Sequence, residues 1–305
     1  LDEAIARNAD NFSALNLKAT ILRTRGDKAG ASACVKRVSE TDPVNAYAAY
    51  EQLLLGESDY FETLMRDEPE SYLELALAYL HNGFPETAVE LLERIDARTA
   101  YPTVKMWLGY LAGKAGDKAA EKKYFTAALA IPTDRCNPFR LETAAVLERT
   151  KELCPESYKP CYYLGNLYYN KQPDRAMAEW EQCIAKEPSF AMAWRNLGWA
   201  HWLHTKNYGE AVKYYRKAID LAPEEALFLE EIDQVYEAKG EDVQVRYDLL
   251  KSRHAVCTKR YSPLAGEVTA GIFVGDYDYV LKLLKECYFP TREGVANFHD
   301  VYVDA

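Results

Sequence analysis

FAMAWRNLGWAHWLHTKNYGEAVKYYRKAIDLAP, residues 190–223, decides the fold. Trp194, Leu197, Gly198 and His201 recur at helical intervals, so all four share one face of a helix. Ala211, Tyr215 and Ala218 mark a second helix with its own face, and Pro223 stops it. A glycine at the centre of the first face lets the two helices cross closely. A larger side chain there would force them apart, which a packed core tolerates poorly.

The same spacing recurs on both sides. Leu164, Gly165 and Tyr168 pair with Ala176, Trp180 and Cys183 before Pro188. Further upstream, Leu15, Ala19 and Leu22 pair with Ala31, Val35 and Val38 across a Gly26-Asp27 turn, and Tyr72, Leu75, Ala76 and Tyr79 pair with Ala88, Leu92 and Ile95 across Gly83. Trp107, Leu108, Gly109 and Ala112 restart the pattern, and Ala120, Tyr124 and Ala127 are expected on the core face of the partner helix. A first helix over 44–56 has a shortened partner over 58–65. Downstream, Leu229, Asp233 and Tyr236 with Val245 and Leu249 form a degenerate pair in which an acid holds the small-residue position. Leu264, Val268, Val280, Leu284 and Cys287 form the last clear pair, with a loop over 288–294 and a helix over 295–305 expected after it.

The rhythm breaks at 133–160. Asn137-Pro138 disfavours helix before it, and one long helix over 139–153 stands where a pair is expected. The domain expectation is therefore an array over 1–132, an irregular joint over 133–160 and a second array over 161–305. Residues 1–11 read as the tail of a second helix, so both ends are expected to lie inside a larger parent protein.

The pattern W-x2-L-G-x2-Y…A-x3-F…P resembles the tetratricopeptide-repeat superfamily across nearly the whole chain, with His201 in the tyrosine position. The resemblance implies an all-α fold: a right-handed α-solenoid of about nine antiparallel helix pairs. Segments such as DEPESYLELALAYLHNGFPETAVELLERI, AWRNLGWAHW and YFPTREGVANFHDVYVDA resemble the C-terminal repeat region of large bacterial proteins that carry an uncharacterised N-terminal domain, loosely associated with carbohydrate metabolism. That family reads an aromatic and then Glu-Gly-Gly in the last segment. Arg292, Glu293, Gly294 and Val295 stand here instead. The implication is a scaffold attached to another domain.

Composition narrows the partners. The 305 residues carry a net charge of −10 with no long Lys/Arg run, which argues against nucleic acid and anionic membranes. No apolar run is long enough to span a bilayer. Seven cysteines without C-x-x-C spacing read as buried thiols in a reducing compartment, the cytoplasm. No nucleophile elbow, P-loop or dinucleotide fingerprint occurs, so no enzyme and no cofactor are expected. His201 and His204 share a helix face but have no third ligand nearby in sequence, and His299-Asp300 with Asp304 reads as a solvated helix end, so no metal is expected. Arg140, at the break, is expected to cap exposed carbonyls.

Binding is expected in the groove lined by first helices. Its candidate residues are Tyr162, Asn166, Tyr169 and Asn170 in one repeat and Arg195, Trp199 and Trp202 in the next, with Met106, Tyr110 and Gly113 in an earlier one. Amide and guanidinium groups among aromatics suit an extended protein or peptide segment, including the parent's own N-terminal domain, and alternatively a glycan. Some tetratricopeptide domains hold a C-terminal carboxylate with Lys, Asn and Arg from adjacent repeats. Asn166, Arg195 and Asn196 resemble that set, but the following repeat offers Glu230 and Glu231. Replacing Trp202 and Arg195 by alanine is expected to abolish binding with little change in melting temperature.

Overall fold

The computed structural model describes residues 1–134 and 136–289; the expected loop and helix over 290–305 lie outside them. The described residues form helices and no strands. They divide into two compact units, Leu1–Cys136 and Asn137–Ala305.

The first unit holds α1 (Asp2–Arg7), α2 (Phe12–Thr24), α3 (Lys28–Thr41), α4 (Ala46–Leu55), α5 (Tyr60–Met65), α6 (Pro69–His81), α7 (Pro85–Asp96), α8 (Pro102–Lys114) and α9 (Lys118–Ala130). The second holds α10 (Thr143–Leu153), α11 (Lys159–Tyr168), α12 (Pro173–Lys186), α13 (Ala191–Leu203), α14 (Tyr208–Leu221), α15 (Ala226–Lys239), α16 (Val243–Ser252), α17 (His254–Cys257), α18 (Tyr261–Val274) and α19 (Tyr277–Glu286). In each unit the helices stack as successive hairpins, with α2 on α3, α6 on α7, α8 on α9, α11 on α12 and α13 on α14 as the closest pairs. This is the all-α solenoid that the repeat spacing predicts. The helix of the break starts at Thr143 rather than 139, and Phe139 and Leu141 before it are exposed, with the Arg140 guanidinium over the Phe139 ring at 4.2 Å.

The central glycine of the first helix sets how near its partner lies. A Cβ on Gly198 would stand 2.8 Å from the ring of Tyr215, one on Gly109 would stand 2.8 Å from Phe125, and one on Gly165 would stand 2.3 Å from the Trp180 indole nitrogen. Tyr215 and Phe125 are fully buried and have nowhere to go. Gly198→Ala is therefore expected to destabilise the second unit by about 2 kcal/mol. Four of the five tryptophans lie in that unit, so urea unfolding followed by tryptophan fluorescence reads the loss.

The core face of these second helices keeps a fixed distance from the N-cap. The fourth residue after the cap points inward: Ala31 after Asp27, Ala88 after Phe84, Ala176 after Gln172, Ala211 after Asn207 and Val280 after Asp276. The same rule corrects two sequence expectations. In α9 the cap is Asp117, and Glu121, Phe125 and Ala128 are buried, rather than Ala120, Tyr124 and Ala127. Gly113 makes room for the carboxylate, since a Cβ there would lie 2.3 Å from Glu121 Oε1. In α16 the cap is Asp242, and Arg246, Tyr247 and Leu250 turn inward while Val245 is exposed. Arg246 then meets the Asp233 carboxylate in a two-pronged pair, Nε to Oδ1 at 2.8 Å and Nη2 to Oδ2 at 3.1 Å. The acid in the small-residue position is thus matched by a base in the position facing it.

Among the described residues, six cysteines are buried, Cys287 is half-buried and none is in a disulfide. Burial pushes the Cys257 thiol up to about 12.

Candidate functional site

The second unit places six of the seven candidate residues around one open cavity of about 320 Å³: Tyr162, Asn166, Tyr169, Asn170, Arg195 and Trp199. Asn137, Trp180, Met192 and Asn196, which the sequence reading did not single out for the groove, complete the lining. Trp202 is not part of the lining. Its ring stands edge-on to Trp199, centroids 5.4 Å apart at 83°, and packs on the core between α14 and α15. In the first unit, Met106 is fully buried and so is a core residue, while Gly113 closes on Glu121.

The floor of the cavity is a chain of hydrogen bonds with a fixed direction. The Trp180 indole, which can only donate, gives its Nε1–H to Asn166 Oδ1 at 3.2 Å. Asn196 Nδ2 donates to the same oxygen at 3.0 Å. The Asn196 carbonyl oxygen accepts from Arg195 Nη1 at 3.1 Å, and a guanidinium can only donate. Arg195 Nε and Nη2 then grip the Glu231 carboxylate of α15, with Nε to Oε2 at 2.6 Å. Both amide orientations follow from the two donor-only ends. Asn166 Nδ2 is left with no acceptor among the described residues, and Asn170, exposed just past the end of α11, has no side-chain partner among them.

Aromatic planes flank this floor. Tyr169 lies 5.4 Å from Trp180, Tyr162 stands edge-on to Phe190 at 4.9 Å, and the Arg195 guanidinium lies 4.8 Å above Trp199. Burial raises the Tyr169 hydroxyl above its ordinary range, with Arg195 acting in the opposite sense. Burial opposes the Arg195 charge, but the Glu231 carboxylate outweighs it and holds the guanidinium above its usual value. Burial, with Glu231 nearby, drives the Tyr215 phenol well up, so it stays neutral behind the ion pair.

The other constellations do not converge on chemistry. His201 stacks on Tyr214 with ring centroids 5.1 Å apart, burial lowers its pKa, and His204 Nε2 meets Asp174 Oδ1 at 2.8 Å. Among the described residues no group of three or more His, Cys, Asp or Glu side chains is placed to hold a metal ion. No helix among them is long and apolar enough to cross a membrane.

Glu231 was legible in sequence only as a residue that weakens a carboxylate-binding arrangement. Its engagement with Arg195 needs the three-dimensional stacking of α13 on α15. Trp180 was legible only as a core aromatic.

Closely packed helix hairpins in both units, crossing at a central glycine in α8, α11 and α13, define a helical-repeat protein. Residues 166–226, which contain most of this cavity, match the tetratricopeptide-repeat family. The chain is similar to the solved structure of MamA at 23% identity over 67% of this chain and 93% of that one, with a TM-score of 0.27. It is similar to YrrB, described as a TPR protein with an unusual peptide-binding site, at 18% identity over 75% and 95%, with a TM-score of 0.29. It is also similar to the APC/C hetero-tetramer Cut9–Hcn1, at 16% identity over 83% and 54%, with a TM-score of 0.38.

Proposed function

We propose that the second unit is a non-catalytic recognition module whose groove holds an extended segment of a partner protein, with an upstream domain of the same parent chain as one candidate. The observation that carries this is the directed chain from Trp180 to Glu231, which leaves amide donors free on Asn166 and Asn170 between aromatic planes. An extended backbone offers carbonyl acceptors at regular intervals and apolar side chains between them, which suits that lining. The buried thiols suit a reducing compartment, the cytoplasm.

The test is a set of short random-sequence peptides and, in the same format, a set of oligosaccharides, offered to the intact chain. Capture of peptides is expected. Asn170→Ala combined with Tyr169→Leu should weaken the captured peptides at least about tenfold, because aromatic and central polar contacts dominate such interfaces. The urea midpoint should move little, since Asn170 is exposed and Tyr169 half-buried. Unchanged peptide affinity in the double variant sinks the groove assignment. A response to oligosaccharides alone would replace the protein segment with a glycan.

A further inference from the structure

We infer that Glu231 occupies the place of a partner's carboxylate, so that the groove takes an internal stretch of polypeptide, read through its neutral backbone carbonyls, and rejects free C-terminal carboxylates and acidic side chains. This deepens the reading above and rests on it.

Among the described residues, Arg195 is the one basic side chain in the cavity lining. The edge of a guanidinium that forks a carboxylate is the edge bearing two parallel N–H groups. On Arg195 the edge formed by Nε and Nη2 is fully engaged by the two oxygens of Glu231. The Glu231 side chain is 5% exposed and that of Arg195 19%. An incoming carboxylate would have to displace a buried anion and leave it without its cation, which is the most costly way to disturb such a pair. A neutral carbonyl meets no such barrier. It can accept from the remaining Arg195 N–H groups, from Asn166 Nδ2 or from Asn170 without breaking the pair. The paired site has no net charge, and the chain as a whole carries −10, so no long-range field draws an anion in.

The arrangement has a built-in consequence. Glu231→Gln keeps the shape and one acceptor oxygen but removes the charge, which would turn Arg195 into a free cation in a half-enclosed site. The latent anion site should then appear.

Two measurements on the intact chain decide this. The first uses acetate as the probe and follows the Arg195 Nε–H resonance in nitrogen-15 spectra. In the wild-type protein the resonance should stay fixed on acetate addition. In Glu231→Gln it should move with a saturable dependence at least about tenfold stronger than in wild type. The second offers each short peptide in two forms, with a free C-terminal carboxylate and with a C-terminal amide. Wild type should bind the two forms within about twofold of each other, and Glu231→Gln should favour the carboxylate form by about tenfold or more. A wild-type resonance that titrates with acetate, a wild-type preference for the acid-ended form, or a Glu231→Gln protein that responds no more than wild type each overturns the inference. The acetate arm needs no peptide, so failure to capture any peptide sinks the protein-segment reading while the role of Glu231 is still decided. Should Glu231→Gln not fold, the wild-type arms alone can overturn it.

Discussion

Arg195→Ala is expected to destabilise the second unit by about 3 kcal/mol, well beyond the cost of an ordinary groove substitution. Sequence alone pointed the other way, because a groove arginine is normally solvated and dispensable for stability. The difference is Glu231. The residue is 4% exposed, and its accepting atoms are bound by Arg195 in two-pronged geometry. Removing the guanidinium leaves that charge buried and unpaired. The figure sits at the low end for a broken buried pair because Arg195 is itself about a fifth exposed, so water reaches part of the gap. Urea unfolding followed by tryptophan fluorescence measures the loss. The companion variant carries Arg195→Met and Glu231→Leu together, removing both charges and leaving apolar volume in their place. It should recover most of the stability, giving a coupling of about 2 kcal/mol or more in the double-mutant cycle. If Arg195→Ala unfolds within about half a kcal/mol of wild type, the ion pair does not form as described. The same result shows why binding experiments on this groove should use Asn170 and Tyr169, whose loss does not orphan a charge.

The first unit repeats the device with different partners. Glu51 of α4 is fully buried and accepts from Arg23 Nε at 2.6 Å, Thr20 Oγ1 at 2.8 Å and Tyr79 Oη at 2.9 Å. Both units therefore bury a carboxylate on a first helix, Glu51 and Glu231, that is satisfied from first helices beside it. Such a pair adds little to net stability, but a mis-stacked neighbour would leave the charge unmatched, so it favours one register of stacking over its alternatives.

The hairpins could be read from sequence because their key contacts are local. The glycine and the aromatic that meets it, Gly198 with Tyr215, lie within one repeat and impose a fixed spacing. The register of a second helix was harder. Reading for small apolar residues put Ala120 and Val245 inward, whereas distance from the cap puts Glu121 and Arg246 there. The cap wins because its side chain fixes the first turn: Asp117 accepts from Ala120 N and Asp242 from Gln244 N. A polar residue in an inward position then has to be met by something across the crossing, Gly113 in one case and Asp233 in the other. That compensation involves residues on another helix, so periodicity within one helix does not reveal it. The groove was half legible for the same reason. Positions on α11 and α13 follow from the repeat, but the direction of the amides depends on Trp180 of α12 and Glu231 of α15.

Trp180→Ala should cost about 4 kcal/mol, the largest effect of any single substitution considered, and it should do so for two reasons that a second variant separates. The indole is 3% exposed and fills the notch left by Gly165, where a Cβ would come within 2.3 Å of its nitrogen. Truncation to alanine opens a cavity the size of most of that ring, between two helices held at a fixed crossing, so little collapse can offset it. The indole also pins Asn166, because its N–H can only donate and so holds the amide oxygen toward α12. Trp180→Phe keeps an aromatic ring in the notch and deletes the donor. It should lose only about 1–2 kcal/mol, most of it the missing hydrogen bond and the smaller ring. Its effect on recognition should be disproportionate. With the donor gone, Asn166 is held only by Asn196 Nδ2, and its amide is free to turn its oxygen toward the groove, replacing a donor there with an acceptor. Binding of carbonyl-bearing peptides should then fall by about tenfold or more while the fold survives. A Trp180→Phe protein that binds as tightly as wild type would mean that Asn166 does not face the partner, and the donors that define the groove would have to lie on Asn170 and Arg195 alone.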